Sequence, residues 1–246
     1  MHRRFALLSI LTLATGSIAL LPGTAAQAGA APRPAQHAAA DSTSEQRQVT
    51  RYWTEGRMES AQPLDLPAPK SGGKAGLSAA AEPGYAAGRR PFGTRPATKL
   101  LTTPQWNAGE DVDFDVAAAV VAQVDGKSLV DVVGGQGVAF NQRRGRQMHS
   151  FGYPAAAPYD GSKLIYCSGR TFDDFLLSDD LALTCDMTGG ASGGPWMLNF
   201  NESTGLGTQN SVNSFKYNFA PNWMFGPYFG NEAQAVYQAA QNTNAL

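Results

Sequence analysis

Eight consecutive residues, Thr188-Gly189-Gly190-Ala191-Ser192-Gly193-Gly194-Pro195, are the strongest candidates for chemistry in the chain. A serine hydroxyl attacks a carbonyl well only when a base takes its proton. The tetrahedral oxyanion that forms then needs donors aimed at it. Glycines before Ser192 permit torsions that other residues resist, so N–H groups can point into one concavity. The expected donors are the N–H groups of Gly190 and Ser192. Gly193 and Gly194 let a substrate strand lie close, and Pro195 ends the loop and starts the next strand. A Gly-rich hairpin turn without chemistry is the competing reading. The full string, with a β hairpin behind it, favours a nucleophile loop.

Short strands between Gly and Pro turns must position this loop. Strand patterns fall at 99–103, 114–124, 128–133, 137–140, 147–153, 164–167 and 181–185. A hairpin is predicted from 196–199 and 209–217 across a turn at 201–205, and Asn231 is placed to N-cap a last helix over 232–241. With 27 glycines and 15 prolines the composition suits an all-β barrel or sandwich rather than a helical bundle. Trp196, Trp223, Phe225 and Phe229 read as core rather than a ligand cage.

The upstream third reads differently. Arg3 and Arg4 precede an apolar stretch at 5–21, and Ala26-Gln27-Ala28 is a small-x-small site, so 1–28 is predicted to be an export signal rather than an uncleaved anchor. Residues 29–84 read as pro-segment and linker: an Ala/Pro-rich disordered stretch at 29–43, a helix near 44–61, and a Lys/Gly/Ser/Ala linker at 69–84. The globular domain is expected over 85–246. Export places the protein outside the cell, in an oxidising medium, so Cys167 and Cys185 are expected to form a disulfide rather than two buried thiols.

Charge excludes some functions. Only 16% of residues are charged and the net charge is −1, so no broad basic field exists to hold nucleic acid. No segment after the signal could cross a membrane, and a monomer with a polypeptide substrate or ligand is expected. No metal-ligand cluster, phosphate loop or cofactor fingerprint is present, so no cofactor is expected. The pairs Asp173/Asp174 and Asp179/Asp180 lack the spacing and glycine of a calcium loop and read as exposed acids. Arg143-Arg144-Gly145-Arg146 reads as a solvated loop, with a processing or polyanion site as the sharper alternative. Asn201-Glu202-Ser203 fits a glycosylation sequon that has meaning only in a eukaryotic secretory route.

Gly190-Ala191-Ser192-Gly193-Gly194-Pro195 resembles the nucleophile motif of the trypsin-like (chymotrypsin-fold) serine endopeptidases, especially a secreted bacterial branch that includes glutamyl endopeptidases. Asp115-Val116-Ala117 is similar to that family's aspartate motif, Gly152-Tyr153-Pro154 to a turn opening its second barrel, and Tyr52-Trp53-Thr54-Glu55-Gly56-Arg57-Met58 to a pro-segment of secreted relatives. The resemblance implies two antiparallel β barrels with the cleft between them and a C-terminal helix. It makes Ser192 the nucleophile and Asp115 the residue that orients the base, with Asp111 and Asp113 as competitors for the second role. It also sets Asp186, six residues before Ser192, at the base of a specificity pocket, where a carboxylate would favour Lys or Arg. An exposed turn is the competing place for Asp186. The other pocket wall would come from 211–215, through Ser211 and Asn213. Ala191 stands where trypsin has an aspartate that receives a new N-terminal amine, so activation of that kind is not expected.

The family's general base is missing. The sequence holds only His2, His37 and His149. His2 falls in the signal and His37 in the Ala/Pro-rich stretch. His149 follows Asp115 and belongs to a strand of the second barrel's wall. The stretch between the pro-segment and Asp115 is also too short for the strands that normally carry a Thr-Ala-Gly-His-Cys motif. These observations predict a truncated first barrel and an inactive or nearly inactive protease. A non-enzymatic peptide-binding protein, or a protease remnant, is the alternative. Exposed apolar surface and open sheet edges predict poor solubility, or order confined to the second barrel.

Overall fold

The computed structural model describes residues 33–54, 57 and 80–244. The expected signal peptide and most of the expected linker lie outside the described residues. Among the regular elements described, strands outweigh helices and form three sheets.

The first sheet is built on β3 (Arg95–Thr102). On one edge β3 pairs antiparallel with β4 (Ala117–Val121), the strand following Asp115. Its other edge is filled from far upstream. β1 (Ala35–Ala38) pairs with it, Ala35 opposite Thr102 and His37 opposite Leu100, and β2 (Ala80–Ala81) covers Arg95 and Pro96. The pairing of β1 runs on through Ala39 N to Thr98 O and Ala40 N to Ala97 O, at 3.0 and 2.9 Å. Among the described residues β4 pairs only with β3, so the first barrel is an open sheet. Order is therefore not confined to the second barrel. The stretch read as disordered supplies a strand because Ala39 and Ala40 are small enough to be buried against β3.

Helix α1 (Thr43–Tyr52) follows at once. Ser42 and Glu45 form a capping box: Ser42 N–H donates to Glu45 Oε2 at 3.1 Å, and Glu45 N–H to Ser42 Oγ at 3.3 Å. Val49 is its buried contact. Helix α2 (Pro104–Gly109) starts at the Thr103 cap, whose Oγ accepts from Trp106 N–H. Sequence pattern predicted a strand at 128–133, but the structure has helix α3 (Leu129–Val133). Asp131 explains the difference, since its carboxylate accepts from both the N–H and the hydroxyl of Ser128, at 2.9 and 2.6 Å, and nucleates a turn. Val130 and Val133 of α3 stay exposed.

The second barrel is more complete. Its larger sheet runs β5 (Gly137–Val138), β11 (Leu206–Val212), β10 (Pro195–Asn201), β6 (Gln147–Gly152), β7 (Ile165–Arg170). The smaller runs β12 (Trp223–Gly226), β9 (Leu181–Thr184), β8 (Phe172–Asp173). Two seams join them. One is the Phe215–Phe225 bridge, and the other is the disulfide from Cys167 of β7 to Cys185 beside β9, with 5.4 Å between Cα atoms. Alternation on β6 sends Met148, Ser150 and Gly152 inward and leaves His149 and Phe151 facing out. The core within gathers Met148, Leu181, Leu183, Cys185, Met187, Ala191, Trp196, Leu198 and Met224. The C-terminal helix α4 (Asn231–Gln241) is capped at Gly230, one residue earlier than expected. It buries Ala233 and Val236 and packs back on β4 and β3.

Candidate active site

Ser192 sits in the turn between β9 and β10, exposed, and its hydroxyl has no hydrogen-bond partner among the described residues. The loop beneath it is fixed. Ala191 is buried and packed against Gly152, where an added Cβ would come within 2.8 Å of the Ala191 Cβ. Only glycine permits so close an approach. Gly190 has φ +98°, and a Cβ there would meet Ala155 at 2.8 Å, so this position too requires glycine. The turn after Gly152-Tyr153-Pro154 cradles the loop from below: Ala155 N–H donates to Gly189 O at 2.7 Å, and Thr188 Oγ1 to Ala156 O at 2.6 Å. Neither the Gly190 nor the Ser192 N–H donates to an acceptor among the described residues.

Asn213 braces this arrangement from the other side. Its side chain is 1% exposed, and all four of its hydrogen bonds are made inside the protein. Oδ1 accepts from Ser150 Oγ at 2.7 Å and Trp196 Nε1 at 2.6 Å. Nδ2 donates to Phe151 O and Ala191 O, both at 2.9 Å. Its backbone adds a two-way pair: Gly193 N–H donates to Asn213 O, and Asn213 N–H to Gly194 O, each at 2.8 Å. Ser211 is also fully buried, its hydroxyl donating to Pro227 O at 2.8 Å. Both side chains, read from sequence as pocket wall, are buried and bonded to neighbouring groups within the protein.

The next residue, Ser214, carries the link to Asp115. Ser214 Oγ donates to Asp115 Oδ2 at 2.6 Å. Of the three aspartates in the turn before β4, Asp115 alone reaches the nucleophile side. Asp111 accepts from Asp113 N–H as a cap, and Asp113 accepts from Asp179 N–H at 2.8 Å. Burial pushes the Asp115 carboxyl above its usual range, and the Ser214 bond only partly opposes this. Ser214 was missed in the sequence, where nothing marks one polar residue at a strand end as the partner of a residue 99 positions earlier.

Asp186 lies exposed and accepts from Tyr159 Oη at 3.1 Å. Beside it, Lys216 Nζ donates to Cys185 O at 2.9 Å and Met187 O at 2.8 Å. Burial pulls the Lys216 ammonium below its usual range, while Asp186 holds it up. The carboxylate is thus accompanied by a cation that the sequence reading missed.

Both described histidines are engaged elsewhere. His37 Nε2 donates to Asn107 Oδ1 at 2.9 Å, on the exposed face of the first sheet. His149 stacks with Phe151, Tyr166 and Phe200, and its Nε2 lies 3.6 Å from Glu202 Oε1. Neither bonds to Ser192 or Asp115. No group of three or more metal-ligating side chains converges among the described residues.

Antiparallel sheets flanking a glycine-rich serine turn, with a half-buried aspartate tied to the segment that follows β11, define a chymotrypsin-fold serine protease framework. Solved structures agree. The chain is 40% identical to the protease Anisep from Arthrobacter nicotinovorans, the match covering 67% of this chain and 74% of that one with a TM-score of 0.63. It is 42% identical to the thermostable serine protease AL20 from an extremophilic microorganism, over 66% of this chain and 74% of that one, with a TM-score of 0.62. A Glu endopeptidase shares the fold at 16% identity and a TM-score of 0.52, over 65% and 71%. No protein-family model matches the chain, and no curated protein does. On these likenesses the chain belongs to the trypsin-like serine proteases of bacteria.

Proposed function

We propose that this protein is a secreted serine endopeptidase by descent that has lost its general base and hydrolyses peptide bonds negligibly. Hydrolysis in this fold would proceed by attack of Ser192 Oγ on the scissile carbonyl, an oxyanion held by the Gly190 and Ser192 N–H groups, and an acyl-enzyme on Ser192. Each step needs an imidazole to take the serine proton and hand it to the leaving amine. The observation that carries the reading is where the described imidazoles lie: His37 bonds to Asn107 and His149 lies beside Glu202, while the Asp115 carboxylate accepts only from Ser214 Oγ among the described residues. Without a base, Ser192 keeps its proton at neutral pH. Loss of the histidine in a comparable triad lowers turnover about a millionfold, or ~8 kcal/mol of transition-state stabilisation.

Strands carrying such a histidine would extend the first sheet, whose β4 pairs only with β3 among the described residues, and the match covers 74% of each protease relative. Casein and fluorogenic peptide turnover by purified protein tests the proposal, with Ser192→Ala as reference. Equal rates are expected. Turnover more than about tenfold above the Ser192→Ala variant, which keeps the same oxyanion and binding contributions, would contradict it.

A further inference from the structure

Four guanidinium groups meet on the second barrel, away from Ser192. A depression of about 340 Å³ is lined by Arg143, Arg144, Gly145, Arg146, Gln147 and Arg170. We propose that this depression is a binding site for tandem tetrahedral oxyanions, phosphate or sulfate groups joined in one small molecule.

The backbone holds the arginines in place without neutralising them. Arg170 ends β7 opposite Gln147, and the preceding loop is pinned to buried Thr171. Thr171 N–H donates to Arg146 O at 2.8 Å, and Arg146 N–H to Thr171 Oγ1 at 3.1 Å. Arg144 is the anchored member: it donates to Asp173 at 3.1 Å and Asp179 O at 2.7 Å, and lies over the Tyr228 ring. The guanidinium groups of Arg143, Arg146 and Arg170 have no acceptor among the described residues. In a chain of net charge −1, three unopposed cations around one concavity repel one another until an anion enters.

The choice of ligand follows from donor geometry and room. A guanidinium presents a planar fork that matches the oxygens of phosphate or sulfate in pairs. Three forks offer more donors than one carboxylate has acceptor sites. At about 340 Å³ the depression has room for more than one oxyanion. The site lies at the Gln147 end of β6, whereas the nucleophile loop rests on Gly152 at the other end, roughly 17 Å away at ~3.3 Å per residue. It therefore stands or falls independently of the catalytic reading.

Calorimetric titration of the full protein with inorganic tripolyphosphate and, separately, with sucrose octasulfate tests the proposal and distinguishes the two sources of oxyanion. Saturable binding of at least one, weakened by added salt, is expected. Arg143→Gln, Arg146→Gln and Arg170→Gln should each weaken it roughly tenfold, the loss of one charge-assisted pair. Arg47→Gln, with the same charge change on exposed α1, should leave it unaltered. Unchanged melting temperatures would show that the variants remain folded. Binding of neither probe, or equal weakening by Arg47→Gln, would overturn the proposal.

Discussion

Asn213 and Asp180 show how differently two buried polar side chains can be treated. Asn213 has a partner for every donor and acceptor, and those partners include the carbonyl of Ala191, next to the nucleophile. Asn213→Ala would strand the Trp196 N–H, the Ser150 hydroxyl and two carbonyls. A loss of about 3 kcal/mol in urea denaturation is expected, with faster proteolysis within 188–195. Asp180 is fully buried, and neither carboxylate oxygen has a hydrogen-bond partner. Burial first, then the neighbouring carboxylates of Asp113, Asp115 and Asp174, push its carboxyl up to about 8. Between about pH 4, the unfolded value, and about pH 8 the folded state holds a proton that the unfolded state releases. Stability is therefore full below that window and falls as pH rises through it. The raised Asp115 acts in the same direction. Urea midpoints of Asp180→Asn across this range should show a flatter decline, and an unchanged slope would contradict the assignment.

At the scale of elements, the unexpected contribution is the upstream segment laid along β3. It is clamped at two further points: Arg90 Nη1 donates to Trp53 O at 2.7 Å, and Tyr153 Oη to Tyr85 O at 2.6 Å. Replacing Ala40, which is fully buried, with Glu should detach β1 and α1. Hydrogen exchange of 95–102 should then accelerate while the second barrel is unaffected. The disulfide closes an 18-residue separation. Its removal by paired Cys→Ser substitution should cost about 3 kcal/mol by loop entropy, read as a lower urea midpoint.

The legible parts of the fold were those with local causes. Short runs bounded by turns marked β6, β9 and the β10–β11 hairpin, and the glycine string marked the nucleophile turn. What escaped depended on distant partners or a competing local bond. Ala35–Ala38 has no strand pattern of its own and is ordered by the edge of β3. Apolar residues 129–133 matched a strand until the Ser128–Asp131 box is counted. Ser214 and Lys216 acquire their roles only once β11 and its following turn are brought against Asp115 and the 185–187 carbonyls.

In the molecule as a whole, a well-braced second barrel faces a first sheet whose β4 edge is unpaired. The glycine-rich Ser192 turn sits on that frame with the Gly190 and Ser192 N–H groups unbonded among the described residues, and on the proposed reading no residue takes the serine proton. Covalent labelling of Ser192 by a fluorophosphonate, followed by intact mass, reads serine nucleophilicity directly and does not depend on knowing a substrate. No saturable labelling over hours at pH 7–8 is expected, with a trace indistinguishable from that of Ser192→Ala. Rapid, saturable addition of one probe at Ser192 would show that some group deprotonates this hydroxyl, and would contradict it.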